Sequence, residues 1–251
     1  MAVTAAVSAA PAKGGLLRSF FAQCVIWSLT IILGGLATLF SPFTRGQVVF
    51  WLGRLWSYLN MKASGAKLVV EGRELVHEHQ PQILIGNHTS NFDIFAVILA
   101  LKGVYYRFLV KREALFLPFF GWALWAGGFP FLDRQHGHRA IRTMSHVAKR
   151  IQKSGMSIVG FPEGTRNTTP DLLPFKKGSF VVAIELGAPV IPFVIRGAKA
   201  VQGRHAFRIN PGTIKIVFYP PIPTQGLAYT DRDALIAQVR EVIEKGLRTE
   251  D

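Results

Sequence analysis

The sequence predicts an α/β domain carried behind an N-terminal membrane-embedded helical anchor, and two observations lead there. A long run without charge lies near the start of the chain, and beyond it short apolar runs alternate with segments of helical period. Residues 1–62 are therefore read as a tail and a two-helix anchor, and residues 63–251 as one domain with a single core.

The alanine-rich first dozen residues read as a loose tail. No residue from Ser19 to Thr44 is charged, and FFAQCVIWSLTIILGGLATLF within that run is long enough to cross a hydrocarbon layer of roughly 30 Å as a helix. A cleaved secretory signal fits poorly, because the run is too long for an h-region and lacks a small-x-small cleavage site. A buried core helix is the alternative. In the following QVVFWLGRLWSYLNMK, Phe50, Trp51, Leu55, Trp56 and Leu59 recur at helical intervals, as in a Trp-rich helix at a lipid interface. Lys13 and Arg18 precede the apolar run and Arg45 and Arg54 follow it, so charge bias does not orient it. A spanning helix and a re-entrant pair both stay open.

Strands are expected near Lys67–Val70, Gln82–Ile85, Tyr106–Val110, Ser157–Phe161, Val190–Ile195 and Thr213–Tyr219. Helices fit at Phe92–Leu101, Gly137–Lys153, Lys177–Leu186 and Asp231–Lys245, the last behind a Thr230 cap with Asp233 three residues on.

A net charge of +14 beside a hydrophobic fraction of 49% points to an anionic membrane surface. Nucleic acid is disfavoured, since there is no zinc-finger spacing, RNP-like aromatic strand or lysine tail. The single cysteine, Cys24, lies among apolar residues and leaves no disulfide framework, thiol metal cluster or evident thiol nucleophile. A reducing, cytosol-facing compartment agrees with this.

Two clusters carry chemistry. In GNHTSNFD, Gly86–Asp93, an apolar strand turns into a helix that Ser90 or Asn91 can cap. His88 then sits outside the helix and can fold back so that Asp93 takes the proton of one ring nitrogen, leaving the other as a base for a hydroxyl. A plain capping box, Ser90-x-x-Asp93, is the bland reading. In FPEGTRNTTPDLLPFKKGSF, Pro162 and Gly164 make a tight turn that admits a ligand close to the backbone. Arg166, Lys176 and Lys177 offer donors for a phosphate ester, and Glu163 could receive a substrate hydroxyl or fix Arg166. A solvated loop is the alternative. GGFPFLDR adds Arg134 with Asp133 as its partner. No metal is expected: the histidines form no HExxH, and His77-x-His79 and His136-x-His138 are weak signals. A serine-hydrolase GxSxG elbow is missing.

NHTSNFD with His88 and Asp93, FLDR ending at Arg134, FPEGTR at Phe161–Arg166 and APVIPFVI at Ala188–Ile195 resemble, in order and spacing, the four motif blocks of glycerophospholipid acyltransferases. The best match is to the 1-acylglycerol-3-phosphate (lysophosphatidate) acyltransferases. VKREALFLPFFGW, with Lys111, is similar to that family's Lys-Arg stretch, and the likeness covers about Leu68 to Pro221. Pro130 in the second block and Asn167 after the PEGTR arginine depart from it. The resemblance implies a mixed, mostly parallel sheet flanked by helices, as in glycerol-3-phosphate acyltransferases. It further implies acyl transfer, without a cofactor, from acyl-CoA or acyl carrier protein to the sn-2 hydroxyl of lysophosphatidate. His88 would be the base and Asp93 its orienting group. Arg134, Glu163, Gly164 and Arg166 would hold the glycerol phosphate, with Lys111, Lys176 and Lys177 as further basic contacts, and backbone N–H groups near the motifs would meet the oxyanion. The expected setting is the cytoplasmic face of a membrane, the inner or plasma membrane in a bacterium. Pro118–Phe131 reads as an acyl-chain wall, a second membrane-facing patch or core. Another lysolipid acceptor, or a non-catalytic lipid-binding protein, remains the rival reading.

Overall fold

The computed structural model describes residues 15–44, 46–132, 148, 149, 151 and 153–249. The strands are β1 Ala66–Glu71, β2 Ile83–Gly86, β3 Tyr106–Phe108, β4 Val110–Lys111, β5 Phe131–Leu132, β6 Ser157–Gly160, β7 Val190–Arg196 and β8 Gly212–Phe218. Six of them form one sheet in the order β1-β8-β7-β2-β6-β3. Its neighbours run parallel except β7 and β8, so it is the mixed, mostly parallel sheet expected. The helices are α1 Leu16–Phe40, α2 Val48–Ser64, α3 Phe92–Ala100, α4 Phe120–Ala126, α5 Gly178–Leu186, α6 Ala198–Val201 and α7 Arg232–Arg248.

The side-chain alternation of strands divides the core in two. Ile83, Ile85 and Ile158 join Phe180 of α5 and Leu235, Val239 and Ile243 of α7. Leu84, Val159, Ile191 and Phe193 join Phe92 and Phe95 of α3 and Met61 of α2 in the other layer. Because helices cover both faces, β2 and β6 are buried at every position, which is why they appear in the sequence as unbroken apolar runs.

Helices α1 and α2 form a hairpin laid against the second layer. Its inward face mixes small or polar residues, Ser19, Ala22 and Ala37 of α1 and Ser57 and Asn60 of α2, with the larger Leu33, Val49 and Met61, all buried. Trp56 Nε1 donates to Thr30 Oγ1 at 3.0 Å, and Ser41 Oγ donates to the Ala126 carbonyl at 2.7 Å, tying α1 to α2 and to the end of α4. Outward, α1 exposes Leu17, Phe20, Phe21, Trp27 and Ile32, and by length and composition it can cross a membrane. Trp51, Phe116, Leu117, Trp122 and Trp125 extend this uncovered apolar surface, which water alone would not favour.

Several elements differ from expectation. Helix α2 runs to Ser64 and stops at the left-handed Gly65, two residues past the boundary at 62. The strand expected over Tyr106–Val110 divides after Phe108. Leu109 N–H still reaches the Val159 carbonyl, and Val110 and Lys111 then leave to pair with Phe131 and Leu132. Pro130 serves that small sheet, its carbonyl accepting the Val110 N–H. Thr230 does not cap α7: the chain enters through a 3₁₀ turn, Tyr229–Asp231, where the Asp231 carboxylate accepts the Ala228 N–H. Of the helix expected over Gly137–Lys153, Ala148, Lys149, Ile151 and Lys153 are helical, and the rest lies outside the described residues.

Candidate active site

Strand β2 delivers the chain to the site at Gly86, where a side chain would run into the Phe193 ring. Asn87 then clamps the turn to β7, its Oδ1 accepting Ile195 N–H at 2.7 Å and its Nδ2 donating to the Ile195 carbonyl at 2.9 Å. Helix α3 begins at Phe92, whose N–H reaches Ser90 Oγ at 3.1 Å. Ser90 thus meets the first N–H of the helix from outside, while Asn91, in the N-cap position, makes no side-chain cap bond.

Asp93, fully buried in the first turn of α3, gathers the loop around one oxygen. Its Oδ2 accepts the N–H groups of Thr89 at 2.6 Å and Ser90 at 2.8 Å, and lies 2.8 Å from His88 Nδ1. Backbone N–H groups can only donate, so Oδ2 is an acceptor and Nδ1 carries the proton. His88 Nε2 is then the basic nitrogen of the neutral ring. The ring stacks on Phe161, centroids 4.3 Å apart, which fixes its plane.

The PEGTR loop supports this turn from the other side. Glu163 Oε1 accepts the His88 N–H at 2.9 Å and Oε2 the Leu173 N–H at 3.1 Å, and Asn167 N–H reaches the His88 carbonyl at 2.6 Å. Glu163 therefore departs from the expectation that it contacts phosphate or fixes Arg166. It is buried, and burial pushes its carboxyl above the usual range against the pull of those two N–H donors. Asn167 shapes the loop, its Nδ2 donating to the Asp171 carbonyl and its Oδ1 accepting the Thr169 N–H.

Gly164, at φ +73°, brings the main chain to the wall of a cavity of about 390 Å³. His88, Lys111, Gly164 and Arg166 line one end. The cavity continues between Thr30 and Leu33 of α1, Leu52, Gly53 and Trp56 of α2, and Phe120 and Leu124 of α4, to Tyr106, Phe108 and Phe129. Within Pro118–Phe131, Phe120, Leu124 and Phe129 line the cavity, and Trp122 and Trp125 are exposed. Arg166 Nη1 donates to Asn91 Oδ1 at 3.0 Å. Burial and then the nearby Arg204 charge lower its pKa, while Asp93 opposes them.

Lys176 and Lys177 do not join this group. Both are exposed, neither lines the cavity, and Lys177 Nζ pairs with Asp233 at 3.3 Å. Lys177 immediately precedes α5, which carries it toward α7 instead of His88. Arg134 lies outside the described residues. Asn87, the hairpin wall and Arg204, which lines the mouth, were not anticipated. Arg204 sits in GRHAFR, a segment with no motif, and it meets the site through the fold alone. No group of three or more potential metal ligands occurs among the described residues.

The family model described as Acyltransferase matches residues 67–196. The 1-acyl-sn-glycerol-3-phosphate acyltransferase of Haemophilus influenzae is 34% identical over 209 residues, 82% of this chain and 82% of that protein. Human 1-acyl-sn-glycerol-3-phosphate acyltransferase alpha is 33% identical over 176 residues, 70% of this chain. The match spans 62% of the human relative's length. Among solved structures, the 1-acyl-sn-glycerophosphate acyltransferase of Thermotoga maritima has the same fold, with a TM-score of 0.77 at 23% identity over 94% of this chain and 98% of that one.

Proposed function

The chain belongs to the Acyltransferase family, and from that premise we propose that it moves an acyl group from a thioester to the sn-2 hydroxyl of lysophosphatidate, giving phosphatidate. The observation that carries this reading is the His88–Asp93 pair, 2.8 Å apart, at the polar end of an apolar cavity whose mouth holds Arg166.

In this reading His88 Nε2 takes the proton of the acceptor hydroxyl as its oxygen attacks the thioester carbonyl. Asp93 keeps the ring in the tautomer that permits this and stabilises the imidazolium that forms. A C–O bond forms, the C–S bond breaks, and the departing thiolate recovers the proton from His88. No acyl-enzyme is required. The donor is acyl-CoA or acyl carrier protein.

The cavity takes an acyl chain. Its volume lies within the ~300–1,000 Å³ typical of ligand sites, and its walls are aromatic and aliphatic. Each methylene buried there contributes about 0.8 kcal/mol. The exposed faces of α1, α2 and α4 rest in a bilayer, so a lipid acceptor reaches His88 from the membrane while the donor's soluble carrier stays in water. A soluble donor of either kind places the site on the cytoplasmic face.

Thiol release from oleoyl-CoA by the detergent-solubilised protein tests the reading. Release that depends on lysophosphatidate and disappears in His88→Ala is the expected result. Release without acceptor, or undiminished in the variant, would overturn it.

A further inference from the structure

Helix α6 and the loop after it cross the mouth of the cavity and are pinned on both sides. Toward the site, Ser90 Oγ donates to the Gln202 carbonyl at 2.6 Å, and Lys199 Nζ to the Thr168 carbonyl at 2.8 Å. Toward the anchor, Ile209 N–H reaches Ser19 Oγ at 3.1 Å, and Gln23 Nε2 donates to the Phe207 carbonyl at 3.2 Å. Between these ties His205 adopts φ 64°, a left-handed conformation uncommon outside glycine, and Arg204 precedes it.

Arg204 lines the same cavity as Arg166, Lys111 and His88. Its Nη1 donates to the Arg166 carbonyl at 3.3 Å and its Nε to His205 Nε2 at 3.0 Å. Arg166 itself donates to the neutral Asn91 amide. Among the described residues, neither guanidinium has a carboxylate within ion-pair distance. Two like charges thus meet at one opening, where burial and then the Arg204 charge disfavour the cationic form of Arg166. An anion at that opening would relieve the repulsion.

We propose that Arg204 is a second arm on the acceptor's phosphate, forming with Arg166 a two-guanidinium clamp that selects phosphate monoesters over diesters. This rests on the acyltransferase reading above. A monoester offers three terminal oxygens and up to two charges, enough for two forks; a diester offers two such oxygens and one charge. The clamp therefore favours lysophosphatidate over lysolipids whose phosphate carries a head group. Arg204 is exposed and touches none of the His88 network, so it acts on acceptor binding and not on proton transfer.

Steady-state kinetics of the full chain in mixed micelles, for wild type, Arg204→Ala and Arg204→Lys, test the clamp. Lysophosphatidate is varied at saturating oleoyl-CoA, and oleoyl-CoA at saturating lysophosphatidate. Arg204→Ala should raise the KM for lysophosphatidate about tenfold or more, with kcat within roughly twofold and the oleoyl-CoA KM unchanged. Preference for lysophosphatidate over lysophosphatidylcholine should fall by a similar factor, and Arg204→Lys should recover part of it. An unchanged lysophosphatidate KM in an active enzyme overturns the clamp. So does a rise confined to the oleoyl-CoA KM, which would assign Arg204 to the donor's phosphates, or an equal loss with monoacylglycerol, which would make its role structural. A wild type that acylates no lysolipid removes the acyltransferase reading and the clamp together, and so separates the two failures.

Discussion

Around His88 the chain is held from every side: Asn87 grips β7, Glu163 takes the His88 N–H, Asn167 takes its carbonyl, and Asp93 takes the ring and the next two N–H groups. At the same end of the cavity, Arg166 and Arg204 are held by an amide, a carbonyl and a neighbouring histidine. On the proposed function, proton transfer depends on sub-ångström placement of a ring, and the bonded turn would supply it. On the same proposal a phosphate would be met by long cationic side chains that can adjust, and a pre-packed ion pair there would have to be broken first. Rigidity is thus concentrated where a bond changes, and uncompensated charge where a ligand arrives.

The comparison breaks first at Asp93. In Asp93→Asn an amide NH₂ or a single carbonyl replaces the shared acceptor, and His88 can settle in the wrong tautomer. The expected loss in kcat is on the order of 10³-fold. A change confined to KM would remove the tautomer role. Because the same oxygen also holds the turn before α3 through the Thr89 and Ser90 N–H groups, the loss should match that of His88→Ala, which leaves both N–H bonds in place.

Arg166→Ala should come next, raising the KM for lysophosphatidate by about 10- to 100-fold with kcat little changed, as expected for a charged hydrogen-bond donor. Equal falls in kcat and kcat/KM would place Arg166 with the turn instead of the mouth. The apolar end is probed at Gly53, where an added side chain would meet open space. Gly53→Leu should fill the slot without straining α2 and shift donor preference toward shorter chains. Each excluded methylene is worth about 0.8 kcal/mol, or roughly fourfold in relative kcat/KM. An unchanged chain-length profile would place the acyl chain elsewhere.

Glu163 gives a smaller, pH-dependent effect. Its folded pKa is raised, so the folded chain binds its proton more tightly than the unfolded chain does. Stability attributable to this group must therefore decline as pH rises from its ordinary value near 4.5 through the higher folded value. Thermal unfolding across that window should slope downward in wild type relative to Glu163→Gln, which does not titrate. A parallel pair of curves would show that the two N–H donors fully offset the burial.

The sheet was legible because its central strands are buried on both faces and cannot hide their apolar runs. His88 and Asp93 were legible for a related reason: a turn held by local hydrogen bonds keeps its partners within five residues of each other. Glu163 was visible as a residue but not in its role, since its partners are the backbones of His88 and Leu173, 75 and 10 residues away. Arg204 was invisible because strand order sets its place, with β8 beside β7 and the intervening loop folded over α3. Spacing in a sequence reports local geometry and says little about what a crossover brings together.

Lys177 is the sharpest case of that limit, and it closes the series with the smallest effect. Beside Arg166 in sequence space, it reads as one more phosphate donor, yet α5 turns it to Asp233 on α7. Both partners are more than half exposed, so the pair contributes under about 1 kcal/mol to stability. Lys177→Ala should leave the lysophosphatidate KM within roughly twofold and lower Tm by a few degrees at most. A tenfold rise in that KM would mean that the phosphate reaches past Gly164 to the start of α5, and the mouth would then extend well beyond Arg166 and Arg204.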